Sequence, residues 1–158
     1  MVRQTMEVKA NPVPESRPFA SDSPRHWIVK FAPLRTSWRE IVRDGNFTLR
    51  GVRSLQAQRN LSEMSLGDLA FFYHSQQEQA IVGLMVVTRT AYPDPTTSDS
   101  RWLTCDFRPV RTLSQSVPLS AIRAHAHLCG IALVRQPRLS VAAIDPQDFS
   151  EILRLAAN

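Results

Sequence analysis

The sequence predicts an α+β domain: a small curved sheet or barrel of about five to six strands, flanked by short helices. Three observations carry this. At 158 residues and 43% apolar content the chain can build one sizeable core, not two. Strand-like runs alternate with short capped helices but lack the regular rhythm of a parallel strand–helix–strand fold. Within the apolar run over residues 80–88, Gly83 marks a bulge or tight bend of the kind that curls a small sheet.

The elements follow in order. Residues 1–24 hold Pro12, Pro14, Pro18 and Pro24 among Ser, Glu and Asn with no periodicity, and are expected to form a disordered tail ahead of a domain over 25–158. His26-Trp27-Ile28-Val29-Lys30-Phe31 is β-rich and stops at Pro33, which makes it a first strand. Ser37 with Glu40 three residues on is a capping box; Trp38, Ile41 and Val42 give the helix an apolar face, and Asp44-Gly45 ends it. Val52, Leu55, Leu61 and Met64 form a broken helical stripe, read as a short helix beside a functional loop. Leu66-Gly67-Asp68 turns the chain into Leu69-Ala70-Phe71-Phe72-Tyr73-His74, an apolar buried strand whose Tyr73 and His74 must point to opposite sides.

The next strand runs over 80–88, followed by a Pro-rich loop at Tyr92-Pro93-Asp94-Pro95-Thr96. Over 102–110, Leu103, Cys105 and Phe107 alternate with Thr104, Asp106 and Arg108 as a half-buried strand. Ser120 is placed to cap a helix that runs towards Leu128 and ends at Gly130, and Arg138-Leu139-Ser140-Val141 reads as a last strand. Asp145-Pro146 opens a C-terminal helix that packs Phe149, Ile152 and Leu153.

Composition excludes several classes. No run of about 18 apolar residues exists, and the first 25 residues lack the apolar core of a secretory signal, so no membrane association and a cytoplasmic location are expected. Cys105 and Cys129 are expected as small core residues. Five glycines cannot supply a phosphate loop or dinucleotide fingerprint. His125 and His127 point to different helix faces without an obvious third ligand, so no metal and no cofactor are expected. No serine occupies a nucleophile elbow, and neither cysteine is flanked as an activated thiolate would be.

Charge distribution is more telling than the net +5. Of the 19 basic residues 17 are Arg, a bias that GC-rich coding would also produce. The excess concentrates in 101–144, where Arg101, Arg108, Arg111, Arg123, Arg135 and Arg138 face a lone Asp106. Guanidinium forks match phosphate oxygens and stack on bases, so this region suits a polyanion; a solvated face is the alternative.

Aromatic and basic clusters fall at strand ends: residues 27–33, Gly51-Val52-Arg53-Ser54-Leu55-Gln56-Ala57, Phe72-Tyr73-His74-Ser75, Tyr92-Pro93-Asp94-Pro95-Thr96 and Arg138-Leu139-Ser140. In this order, over residues 27–153, they resemble an EVE domain, a member of the PUA-like group that includes the YTH and ASCH domains. The resemblance implies a PUA-like β-barrel that binds DNA or RNA and holds one base, modified or not, in a pocket without catalysis. Extruding a base costs a few kcal/mol, which stacking at roughly 1–3 kcal/mol per base must offset.

Mapped onto this chain, the implied base and backbone contacts are Lys30, Phe31, Arg50, Arg53, Gln56, His74, Ser75, Tyr92, Asp94, Arg138 and Ser140. Three positions depart from the family pattern: Phe31 and Ala32 replace the usual Ser and Glu, and Leu49 stands where a Trp is usual. Phe31 then becomes the expected stacking surface, or the pocket binds nucleic acid through its arginines alone. Two alternatives stay open: an enzyme acting on a modified nucleotide or base through Asp94 and His74, and an interaction scaffold with a vestigial pocket.

Overall fold

The computed structural model describes residues 24–157. Apart from Pro24, the expected N-terminal tail falls outside the described residues. The elements run β1 (His26–Phe31), α1 (Trp38–Asp44), β2 (Phe47–Thr48), α2 (Leu55–Ser62), β3 (Leu69–His74), β4 (Ala80–Pro93), β5 (Leu103–Pro118), α3 (Leu119–Ala124), α4 (Ala132–Arg135), β6 (Val141–Ala143) and α5 (Pro146–Ala157). The strands form one mixed sheet in the order β2-β5-β4-β3-β1-β6, with β1 parallel to β3 and every other pair antiparallel.

Strand alternation divides the core into two layers. From β1 and β3, Trp27, Val29, Phe31, Ala70 and Phe72 face the layer containing Trp38 and Ile41 of α1 and Ala57 and Leu61 of α2. Ile28, Phe71 and Tyr73 face the other layer, with Ile122 of α3, Leu133 of α4, and Phe149 and Ile152 of α5. Both sides of β1 and β3 are thus covered, which is why these strands read as continuous apolar runs.

The predicted capping box of α1 is present: the Glu40 backbone N–H donates to Ser37 Oγ at 3.3 Å, and Ser37 N–H donates to Glu40 Oε1 at 2.9 Å. Gly45 ends the helix in the left-handed region, at φ +76.

The sheet is strongly irregular but does not close into a barrel by hydrogen bonding. Register shifts at four places along β4 and β5 bend the pair. Its edges, β2 and β6, are two and three residues long, too short to zip together. Instead α2 spans the gap: Asn60 Nδ2 donates to Val141 O of β6, while Gln58 exchanges hydrogen bonds with the backbone N–H and C=O of Leu103 in β5.

Several local readings change. β4 and β5 are longer than predicted, and β5 carries Pro109 at the register shift between Leu84 and Met85, where a bulge tolerates the missing donor. Thr104, expected on the outer face, is buried because its hydroxyl donates to Leu49 O. Ser120 caps nothing: α3 begins at Leu119 behind Pro118 and stops at Ala124. α4 and β2 went unpredicted, and the last strand starts only at Val141. Cys129 is exposed, not core, whereas Cys105 is buried. Gly83 does adjoin a bulge, Val82 being the extra residue between the Phe72–Gly83 and Tyr73–Ile81 pairs, but a second constraint acts there. A Cβ at Gly83 would stand 2.2 Å from the Trp38 ring, so the strand must be bare for α1 to dock.

Candidate nucleic-acid interface

Where β1 ends, the chain meets the β2–α2 loop and the segment before β6, and between them opens a cavity of about 460 Å³. Phe31 and Leu49, 5% and 1% exposed, belong to the core and form its floor without filling it. Seven predicted contacts line it: Lys30, Phe31, Arg50, Arg53, Ser75, Arg138 and Ser140.

Each is positioned by backbone geometry. The Lys30 N–H donates to Ser140 O at 2.9 Å and its ammonium donates to Pro137 O at 2.6 Å, which pins the approach to β6 against β1. Burial of that ammonium pushes its pKa down. The Ser75 N–H donates to Phe31 O at 3.0 Å, bringing the end of β3 to the rim. Gly51 sits at φ +82, and its missing Cβ leaves room for Arg35, whose Nη2 would otherwise lie 2.9 Å away.

Asp94 and Gly51 are linked across the rim. Asp94 is 1% exposed and accepts from Gly51 N–H at 2.7 Å, Arg53 Nη1 at 3.1 Å, Thr96 N–H at 2.8 Å and Thr96 Oγ1 at 2.6 Å. Burial alone would raise its pKa, but these hydrogen bonds outweigh that effect and lower it to about 2. The carboxylate therefore ties the loop after β4 to the loop before α2 and has no free face for a ligand.

Three other predicted residues also stand apart from the cavity. His74 Nε2 accepts from the Trp38 N–H at 3.0 Å and its Nδ1 contacts Glu78 at 2.6 Å; it borders a separate, mostly apolar cavity beside α1. Tyr92 donates its hydroxyl to Asp106 at 2.6 Å. Gln56 lines an adjoining depression that shares Ser54, Pro137 and Arg138 with this cavity. Of the six arginines in 101–144 only Arg138 reaches the cavity; Arg123 and Arg135 sit on α3 and α4, which pack on the other face of the sheet.

The residue missed by sequence reading is Arg35. Its guanidinium carbon stands 4.4 Å from the Phe31 ring centroid, with that of Arg50 at 5.2 Å. Among the described residues, Arg35 and Arg50 hydrogen-bond only to neutral oxygens: Arg35 to Arg50 O, and Arg50 to Thr48 O, Arg35 O and Thr36 Oγ1. Among the described residues no carboxylate pairs with Arg35, Arg50 or Arg138, whereas Arg53 pairs with Asp94. Arg53 and Arg101 both stack on half-buried Trp102, at 5.4 and 5.1 Å. Outside the cavity wall, Leu34 next to Arg35 and Leu55 next to Ser54 are 93% and 74% exposed.

Comparison with known proteins places the chain in a family. The EVE domain family model matches residues 25–155. Thymocyte nuclear protein 1 of Gallus gallus is 31% identical over 164 residues, spanning 82% of this chain and 68% of that protein. A crystal structure of a protein from Agrobacterium tumefaciens is similar with a TM-score of 0.82 at 33% identity, over 85% of this chain and 95% of that one. The crystal structure of human THYN1 protein in complex with 5-methylcytosine containing DNA has a TM-score of 0.76 at 26% identity, over 85% of this chain and 98% of that one. From the ordered sequence blocks, the sheet they build and these matches, the chain belongs to the EVE domain family.

Proposed function

We propose that this domain binds nucleic acid and holds a single base, modified or not, in the cavity between β1, the β2–α2 loop and the approach to β6, without catalysing a reaction on it. The observation that carries the reading is a cavity of about 460 Å³ rimmed by Arg35, Arg50 and Arg138, which have no carboxylate partner among the described residues. The complex of the human THYN1 protein with 5-methylcytosine containing DNA supports a DNA partner. Flat guanidiniums suit both stacking on a base and bidentate contact with phosphate. The enzyme alternative loses support, because Asp94 is saturated inside the fold and His74 borders a different cavity.

The test is a salt titration of binding to single- and double-stranded DNA and to RNA, each with and without cytosine methylation. Affinity should fall with a log–log slope of about −0.9 per duplex phosphate contacted, and Arg138→Gln should shallow it by about one such contact. Failure to bind any of these polymers at low salt would remove the reading.

A further inference from the structure

Resting on that reading of the cavity, we propose that it selects a nucleotide carrying an additional oxyanion, a terminal phosphate or a carboxylate on the base, and seats this group on the guanidiniums of Arg35 and Arg50. Three observations lead there. First, five cationic side chains line the space, Lys30, Arg35, Arg50, Arg53 and Arg138, and the carboxylate serving them, Asp94, is buried and committed to Arg53 and three other donors. The Lys30 ammonium gives one of its three donors to Pro137 O.

Second, Arg35 and Arg50 share the Phe31 ring as a support and, among the described residues, bond only to neutral acceptors. Two like charges gathered on one ring repel, and an anion between them would turn that repulsion into attraction. Each guanidinium has five N–H donors, so both keep donors to spare. Third, the ring face that a neutral base would need is not available: Phe31 is 5% exposed and overlaid by the guanidiniums. What the cavity presents instead is planar, cationic and rich in donors, and at about 460 Å³ it is within the size range of small-molecule sites.

The experiment is calorimetric titration of the full chain with cytidine, 5-methylcytidine, cytidine 5′-monophosphate and 5-carboxycytidine. An anionic compound should bind roughly tenfold or more tightly than cytidine, as even one charge-assisted hydrogen bond would give. Which of the two anionic compounds gains tells terminal phosphate from base carboxylate. Arg35→Gln with Arg50→Gln should abolish the preference, whereas Arg111→Gln, on exposed β5 surface, should leave it intact. Equal or tighter binding of the neutral nucleosides, a preference that survives in the double variant, or no binding of any of the four would each overturn the proposal. Polymer binding by the salt titration, measured in parallel, separates this failure from failure of the nucleic-acid reading itself.

Discussion

Replacing Gly83 by alanine adds one methyl group and should be among the costliest small changes available to this fold. The added Cβ would lie 2.2 Å from Cε2 and Cζ2 of Trp38 and 2.6 Å from Cδ2. Carbon atoms in contact sit about 3.5–4.0 Å apart, so the indole must retreat by roughly 1.5 Å. It has nowhere easy to go. Trp38 is 5% exposed, its Nε1 donates to Thr112 Oγ1 at 2.8 Å, its backbone N–H donates to His74, and its ring packs on Phe72 at a centroid distance of 5.7 Å. Overpacking of about 1–3 kcal/mol together with a lost hydrogen bond of about 1 kcal/mol gives a loss of about 2–4 kcal/mol. For a domain of this size that lowers Tm by roughly 5–15 °C.

Urea and thermal unfolding of the wild type, Gly83→Ala, Trp38→Ala and the double variant measure the coupling directly. Gly83→Ala should cost far less once Trp38 is removed. A penalty below about 0.5 kcal/mol, or one undiminished in the Trp38→Ala background, would refute the steric argument.

Asp94→Asn should destabilise by about 2 kcal/mol at neutral pH. Because the folded pKa of Asp94 is depressed from 3.8 to about 2, its contribution is present above pH 4 and fades as pH falls towards 2. The variant's stability curve should be the flatter of the two across that window, by chemical denaturation at each pH. Ellman's reagent should titrate one thiol in the folded protein, exposed Cys129, and two after unfolding, since burial pushes the Cys105 thiol up to about 12. Gln58→Met should cost about 1–3 kcal/mol by stranding the Val52 and Leu103 backbone groups, with faster amide exchange at Leu103. Ser37→Ala should cost about 1 kcal/mol and fray the start of α1, seen by loss of amide protection at Glu40.

Elements with strong local signals were legible: β1 and β3 as apolar runs, α1 by its box and glycine, and α5 by its proline start. β2 and α4, two and four residues long, are shorter than any period can register, and tertiary contacts alone hold them. The resemblance located seven of the cavity-lining residues, yet it could not foresee Arg35, which sits in a loop where no periodicity operates. Asp94 shows the other limit. A carboxylate directly after Tyr92-Pro93, which the structure places at the end of β4, reads as a ligand contact until the fold brings Gly51, far away in sequence, to within 2.7 Å of it. His74 was misplaced for a simpler reason: at the end of a strand the choice of face depends on what packs there, and Trp38 claims it.

The helix that spans the open side of the sheet also bears on how these molecules tolerate crowding. An open sheet usually presents a row of unused main-chain donors and acceptors to passing chains, the template for zipper-like aggregation. Here one rim is a pair of residues and the other a triplet, and Asn60 has already taken Val141 O. Crowded copies therefore offer one another little main-chain template for fusing into fibrils.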